Sequence, residues 1–241
     1  MHVAFFKKLR SHFNMKNIPS LIDLTLLDHQ ATVHDINQLT TKGIQKHVAA
    51  LCVLPQHLDL IPETSPIPRA TVVNFPTGNE SRPQVLQAID YIATHHIINE
   101  IDYVFPYQAY LDGDRDHALS CCAEAFKHCQ EHGLLFKVIL ETGALPSSEM
   151  IYQLSTDVIN NGCDFLKTST GKITTGATLP AATAMLSAII DSKKTCGIKL
   201  SGGIRTIEQA ESYILLAEDM MKATVDKSWF RLGASGLLDH L

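Results

Sequence analysis

Three lysines stand inside apolar runs, where lysine has no ordinary place. Lys137 interrupts LLFKVILE (from Leu134), Lys167 interrupts DFLKTST (from Asp164) and Lys199 interrupts GIKLSG (from Gly197). Lysine is almost never fully buried without a partner or a task. A free lysine amine has a pKa of about 10.4 and is protonated and inert at neutral pH. A second ammonium a few ångströms away disfavours the charged form, and an apolar wall adds desolvation in the same direction. The amine that loses its proton can attack an aldehyde or ketone and form an imine. Once protonated, that imine is an electron sink, so a carbon–carbon bond β to it can break or form. Asp102, in EIDYVF (from Glu100), could hold a water or a substrate hydroxyl for the accompanying proton transfers. Nothing in this scheme needs a metal or a cofactor. The alternative is a structural ion-pair network in which Asp23 and Asp102 neutralise all three lysines.

Eight short segments read as strands: the four runs above, together with LIDLTLL (from Leu21), VAALCVL (from Val48), ATVVNF (from Ala70) and WFRLGAS (from Trp229). Several are nearly continuous apolar runs, which suits strands of a parallel sheet buried on both faces. Between them lie segments of helical period. One is ATLPAATAMLSAIIDSK, with Pro180 in its first turn; another is TIEQAESYILLAEDMMK, with Thr206 as N-cap. Eight βα units without a linker or composition break predict a (β/α)8 TIM barrel, one α/β domain over residues 1–241. Residues 1–18 form a short N-terminal helical extension, and the first 13 close one end of the barrel. A doubly wound open sheet is the alternative, but no G-x-G-x-x-G follows the first strand.

Alternation sends every second side chain of a barrel strand toward the axis. Taking the polar members as inward-facing gives Asp23 and Thr25, Cys52, Asn74, Asp102, Lys137, Lys167 and Lys199. The interior then holds two carboxylates and three lysines. Barrel active sites lie at the C-terminal ends of the strands. Lysines on neighbouring strands at that end favour catalysis over a purely structural network.

Three features at the same rim suit an anion. SGGIRT (from Ser201) offers Gly202 and Gly203 before a helix N-terminus. Gly233 and Ser235 end the eighth strand, and TSTGK (from Thr168) supplies Thr170 and Lys172. A phosphate pocket after strands seven and eight is frequent in barrels.

The 12 histidines do not make a metal site on this reading. His47 lies at a strand edge, His95 and His96 at a helix end, and the His128/His132 pair on a solvated helix face. Six cysteines include no C-x-x-C pair and fit no disulfide framework, which suits reduced thiols in the cytoplasm. A net charge of −5 gives no reason to expect nucleic acid. No apolar run approaches the roughly 18 residues of a membrane span.

These blocks carry a family likeness. GCDFLKTSTGK, IKLSGGIRT, EIDYVFPY, TVVNFPTG, ALCVLP, FKVILETG, IDLTLL and FRLGAS resemble, in order and spacing, those of the deoxyribose-phosphate aldolases, from about Leu21 to Leu238. The resemblance implies a class I aldolase that reversibly cleaves 2-deoxy-D-ribose 5-phosphate to D-glyceraldehyde 3-phosphate and acetaldehyde, in deoxyribonucleoside catabolism. It implies Lys167 as the Schiff-base lysine, Lys199 as the lysine that perturbs it and Asp102 as the acid/base carboxylate. A homodimer is expected.

Two departures bear on specificity. Ser235 is followed by Gly236, where many members have a second serine, and the chain stops at Leu241 without a tail ending in tyrosine. Weaker phosphate discrimination or slower enolisation is the expectation. A related aldolase with another aldehyde pair, or with dihydroxyacetone phosphate as donor, is the nearest competing function. A catalytically silent scaffold is the more distant one, and it has no reason to keep two lysines and Asp102.

Overall fold

The computed structural model of the chain describes residues 18–241. The expected N-terminal extension and the closing role of the first 13 residues therefore fall, apart from Ile18, outside the described residues. Eight parallel strands close into a barrel in sequential order. They are β1 (Ile22–Leu26), β2 (Ala50–Val53), β3 (Arg69–Val73), β4 (Glu100–Val104), β5 (Leu135–Ile139), β6 (Phe165–Lys167), β7 (Gly197–Ser201) and β8 (Phe230–Ala234). The helices are α1 (Val33–Lys46), α2 (Arg82–His95), α3 (Tyr107–Leu111), α4 (Arg115–Glu131), α5 (Ser148–Asn161), α6 (Leu179–Ser192) and α7 (Ile207–Met221). All eight expected strands are present.

Local chemistry sets the helix starts. Thr32 and Asp35 close a capping box on α1, and Thr206 and Gln209 close one on α7. Pro180 sits in the first turn of α6, where its missing N–H costs nothing. His47 is not a strand residue: it caps the C-terminus of α1 in the left-handed conformation, with φ 54°. His128 and His132 do not face solvent freely either. Their rings lie 2.9 and 3.1 Å from the same Asp90 oxygen, tying α4 to α2.

The main core lies between the outer strand faces and the helices, where Tyr103, Phe136, Leu166, Ile198 and Phe230 are buried. Truncating Leu166 or Ile198 to alanine should cost about 2–5 kcal/mol. Inside the barrel the chemistry divides by strand. β2 and β3 supply a separate apolar cluster of Ala50, Cys52, Ala70 and Val72, joined by Leu54. The six other strands supply charge: Asp23, Glu100, Asp102, Lys137, Lys167, Lys199 and Arg231 are all buried.

Candidate active site

Register places the candidate catalytic residues. Lys167, the last residue of β6, is the direct neighbour of Lys199 on β7, and Asp102 on β4 neighbours Lys137 on β5. Residues on one face of adjacent strands converge on the axis, so three lysines and Asp102 meet there. Lys167 Nζ donates to Asp102 Oδ2 at 2.6 Å, and Lys199 Nζ donates to the same oxygen at 2.7 Å. Lys137 takes the other oxygen at 2.7 Å. Lys199 also lies 2.6 Å from Asp23 Oδ2.

These partners pull the amines apart in acidity. Burial lowers the Lys167 pKa most strongly; Asp102 opposes it, and the Lys199 charge adds to the lowering, so the group ends below the ordinary lysine value. Burial would lower Lys199 too, but Asp102 and Asp23 outweigh it and hold that ammonium above the ordinary value. Lys137 is likewise raised by Asp102 and Glu100 against burial. Burial would raise Asp102 and Asp23, yet the surrounding lysines, with Arg231 at Asp23, keep both carboxyls well below the usual carboxylate range. The two neighbouring amines are therefore shifted in opposite directions, Lys167 down and Lys199 up. The leading cause of the lowering at Lys167 is desolvation, and like-charge crowding by Lys199 reinforces it.

Two members of this cluster escape the sequence reading. Glu100 lies two residues before Asp102 and Arg231 two before Gly233, each on the inward face. The interior therefore holds three carboxylates rather than two, and an arginine besides the lysines. Arg231 Nη1 lies 2.6 Å from Asp23 Oδ1 and its Nη2 lies 3.2 Å from Glu100 Oε1, while Glu100 Oε2 is 2.6 Å from Lys137 Nζ. The alternation that exposed Asp102 and Lys199 carries the signal for both.

A cavity of about 340 Å³ opens above the cluster at the C-terminal ends of the strands. Lys167 reaches its wall, together with Thr25, Thr170, Lys172, Gly202, Gly203, Gly233 and Ser235. Asp102 and Lys199, which contact Lys167 or its carboxylate partner, and Asp23, Cys52 and Lys137 are all buried and off the cavity wall. Asn74 is apart from all of these. With φ 59° it ends β3, and its amide is spent on the Val104 carbonyl and the Glu80 N–H at 2.8 Å each. Burial raises the Cys52 thiol pKa, which keeps that side chain neutral in the apolar half of the bore.

Backbone packing shapes the rim. Thr168 and Ser201 exchange hydrogen bonds, Ser201 N donating to Thr168 Oγ1 at 2.8 Å and Thr168 Oγ1 to the Ser201 carbonyl at 2.9 Å. A Cβ on Gly176 would stand 2.2 Å from the Gly202 carbonyl, so glycine lets the loops after β6 and β7 touch. Gly202 and Gly203 adopt φ +90° and +82°, which turns the chain sharply at the end of β7. A Cβ on Gly233 would come within 2.8 Å of Ser201 Cβ and 3.1 Å of Lys199 Cε, so its absence leaves room for the Lys199 stem. The buried Glu141 carboxylate, which the sequence reading also passed over, accepts the Thr170 hydroxyl and its N–H and anchors the TSTGK loop. Lys172 Nζ crosses the mouth to the Leu27 carbonyl at 2.8 Å. The start of α7 is less open than expected, because Gln209 takes the N–H groups of Arg205 and Thr206 at 2.8 and 3.1 Å. Any anion at this rim therefore depends on the glycine turn and on side chains rather than on those two N–H groups.

A closed parallel barrel that presents one desolvated amine to a cavity, backed by a fixed cation and a carboxylate, defines an enzyme working through a covalent imine. Residues 19–238 match the profile of the DeoC/LacD family aldolase, and the chain belongs to that family. A deoxyribose-phosphate aldolase of Agrobacterium fabrum is 40% identical over 229 residues, which cover 92% of this chain and 88% of that protein. Among solved structures, the aldolase QR15 superposes with a TM-score of 0.79 at 26% identity, over 92% of this chain and 95% of its own. The deoxyribose phosphate aldolase of Aeropyrum pernix, described as a tetramer, shares the fold with a TM-score of 0.77 at 23% identity, over 94% and 91% of the two chains.

Proposed function

We infer that the protein is a class I aldolase that reversibly cleaves 2-deoxy-D-ribose 5-phosphate to D-glyceraldehyde 3-phosphate and acetaldehyde, with Lys167 as its nucleophile. The observation that carries this is the position of Lys167: the end of β6, the wall of the cavity, and a pKa below that of an ordinary lysine.

The neutral Lys167 amine attacks the C1 aldehyde of the open-chain sugar, and loss of water gives a protonated imine. The imine draws the electrons of the C2–C3 bond toward nitrogen as a base removes the C3 hydroxyl proton. D-glyceraldehyde 3-phosphate leaves, and an enamine stays on the lysine. Protonation at C2 and hydrolysis release acetaldehyde and regenerate the amine. Asp102, 2.6 Å from Lys167 Nζ, serves as the proton acceptor and donor, directly or through a water. Lys199, kept cationic by Asp23 and Asp102, holds Asp102 ionised and opposes protonation of Lys167. Asp23, Cys52 and Lys137 fill the interior around these groups, off the cavity wall. Thr170, Lys172, Gly202, Gly203, Gly233 and Ser235 surround the phosphate end, while Asn74 acts through the β3 loop it holds.

Six free thiols suit a reducing, cytoplasmic setting. No helix among the described residues is long and apolar enough to cross a membrane. A homodimer, the commonest closed assembly, is the oligomer proposed, and light scattering tests it.

Borohydride reduction in the presence of acetaldehyde, followed by peptide mass mapping, tests the chemistry. A two-carbon adduct on Lys167 is expected, absent in Lys167→Leu. An adduct on another lysine, or none, refutes the assignment. Rates on deoxyribose and on its 5-phosphate test the weak phosphate discrimination expected from Gly236, which a very large preference for the phosphorylated sugar would contradict.

A further inference from the structure

Beneath Lys167 the barrel holds a ring of ion pairs whose lower members do not reach the cavity wall. Arg231, on β8, binds Asp23 and Glu100. Glu100 passes the contact to Lys137, which also reaches Asp102 at 2.7 Å and lies 3.7 Å from Asp23. Lys199 closes the ring between Asp23 and Asp102. Glu100 and Arg231 are 4% and 5% exposed and lie off the cavity wall.

The charges of this ring balance without Lys167. Three carboxylates (Asp23, Glu100 and Asp102) face three cations (Lys137, Lys199 and Arg231). A protonated Lys167 adds one positive charge beyond those the ring matches, in a bore where charge is poorly solvated. A neutral Lys167 leaves the ring matched. The geometry points to Glu100 and Arg231 as positioning residues that, without touching substrate, set the protonation state of Lys167 by fixing the net charge beneath it. This rests on Lys167 being the imine-forming residue.

The other groups facing Lys167 are the same in every variant, so they set its starting value and not the shifts. β2 contributes the Cys52 thiol, which burial keeps protonated, and β3 contributes Ala70 and Val72, which carry no charge. Glu141, engaged by Thr170, also attracts the Lys167 charge, and it stays constant in every variant below.

The pH dependence of acetaldehyde trapping at Lys167 by cyanoborohydride tests the idea. Glu100→Gln leaves the ring one positive charge in excess, so the trapping midpoint should move to lower pH by about one unit. Arg231→Gln leaves it one negative charge in excess, so the midpoint should rise by about one unit and trapping below the midpoint should fall about tenfold. The double variant Glu100→Gln/Arg231→Gln should return the midpoint to the wild-type value, and Arg231→Lys should leave it there. Loosened packing alone would not move two midpoints in opposite directions and then cancel the shifts in the double variant. If Arg231→Gln does not fold, Glu100→Gln and the matched double variant still carry the comparison, with circular dichroism reporting the fold. Midpoints that stay put, or move the same way in both single variants, overturn the proposal while wild-type trapping at Lys167 leaves the imine reading intact. Absence of wild-type trapping at Lys167 overturns both.

Discussion

Lys167 and Lys199 are register partners across β6 and β7, and their amines converge on a single oxygen of Asp102. One carboxylate oxygen cannot fully compensate two ammonium groups in a buried site. Lys199 has a second carboxylate in Asp23 and Lys167 does not. The proton is therefore kept by Lys199. Lys199→Met should leave Lys167 the main claimant on Asp102 Oδ2 and raise its pKa. The expected loss in kcat/KM at neutral pH is about 100-fold, partly regained as pH rises. A full pH–rate profile checks this, and a flat loss at all pH values would remove Lys199 from the tuning role. The broken pair should also cost about 3–5 kcal/mol of stability in urea.

Asp102→Asn should separate two steps. Lys167 loses the carboxylate that opposes its deprotonation, so imine trapping should persist. Proton transfer loses its acceptor, so turnover should fall about 100- to 10,000-fold. Exchange of deuterium from solvent into the acetaldehyde methyl group measures the second step, and its survival at the wild-type rate would contradict the role of Asp102.

At the rim, Lys172 and Arg205 bring cationic side chains to the cavity wall. Lys172→Ala should raise KM for the 5-phosphate about tenfold, the scale of one charge-assisted hydrogen bond, with little change for deoxyribose. Equal effects on both sugars would assign Lys172 to the loop contact with Leu27 instead.

The same electrostatics govern stability. The Asp23 and Asp102 carboxyls are depressed in the folded state, so their contribution is complete above the ordinary carboxylate pKa of about 4 and drains away as pH falls toward the folded values. The raised Lys137 and Lys199 contribute fully below the ordinary lysine pKa of about 10.4 and lose their contribution as pH rises through the folded values. Lys167 has the opposite sign: its lowered pKa makes it a cost to folding at neutral pH. Lys167→Met should therefore melt at a higher temperature than the wild type at pH 7 while losing all activity, which calorimetry can check.

The barrel was legible because eight apolar runs recur at βα spacing, and the buried lysines because each breaks such a run. Glu100 obeys the same alternation but opens its strand, where a polar residue reads as an ordinary end. Arg231, between Phe230 and Leu232, breaks an apolar run as the lysines do and was open to the same reading. Period alone does not separate a residue that enters a loop from one that stays in the bore. Asn74 leaves the inward face because its backbone turns left-handed at the end of β3, a change that its residue type permits but does not announce. The capture of the Arg205 and Thr206 N–H groups was available in principle. T-x-x-Q at the start of α7 is a capping-box pattern, and a helix that caps itself has fewer donors to offer an anion.

The division of the bore by strand separates two design variables. Ala50, Cys52, Ala70 and Val72 can be exchanged among uncharged side chains of different bulk without adding or removing a titrating carboxylate or ammonium. A mutant library confined to those four positions would vary the steric character of the interior while leaving its acid–base set-point nearly constant. Changes on the other six strands would retune the enzyme's working pH even where its shape is preserved.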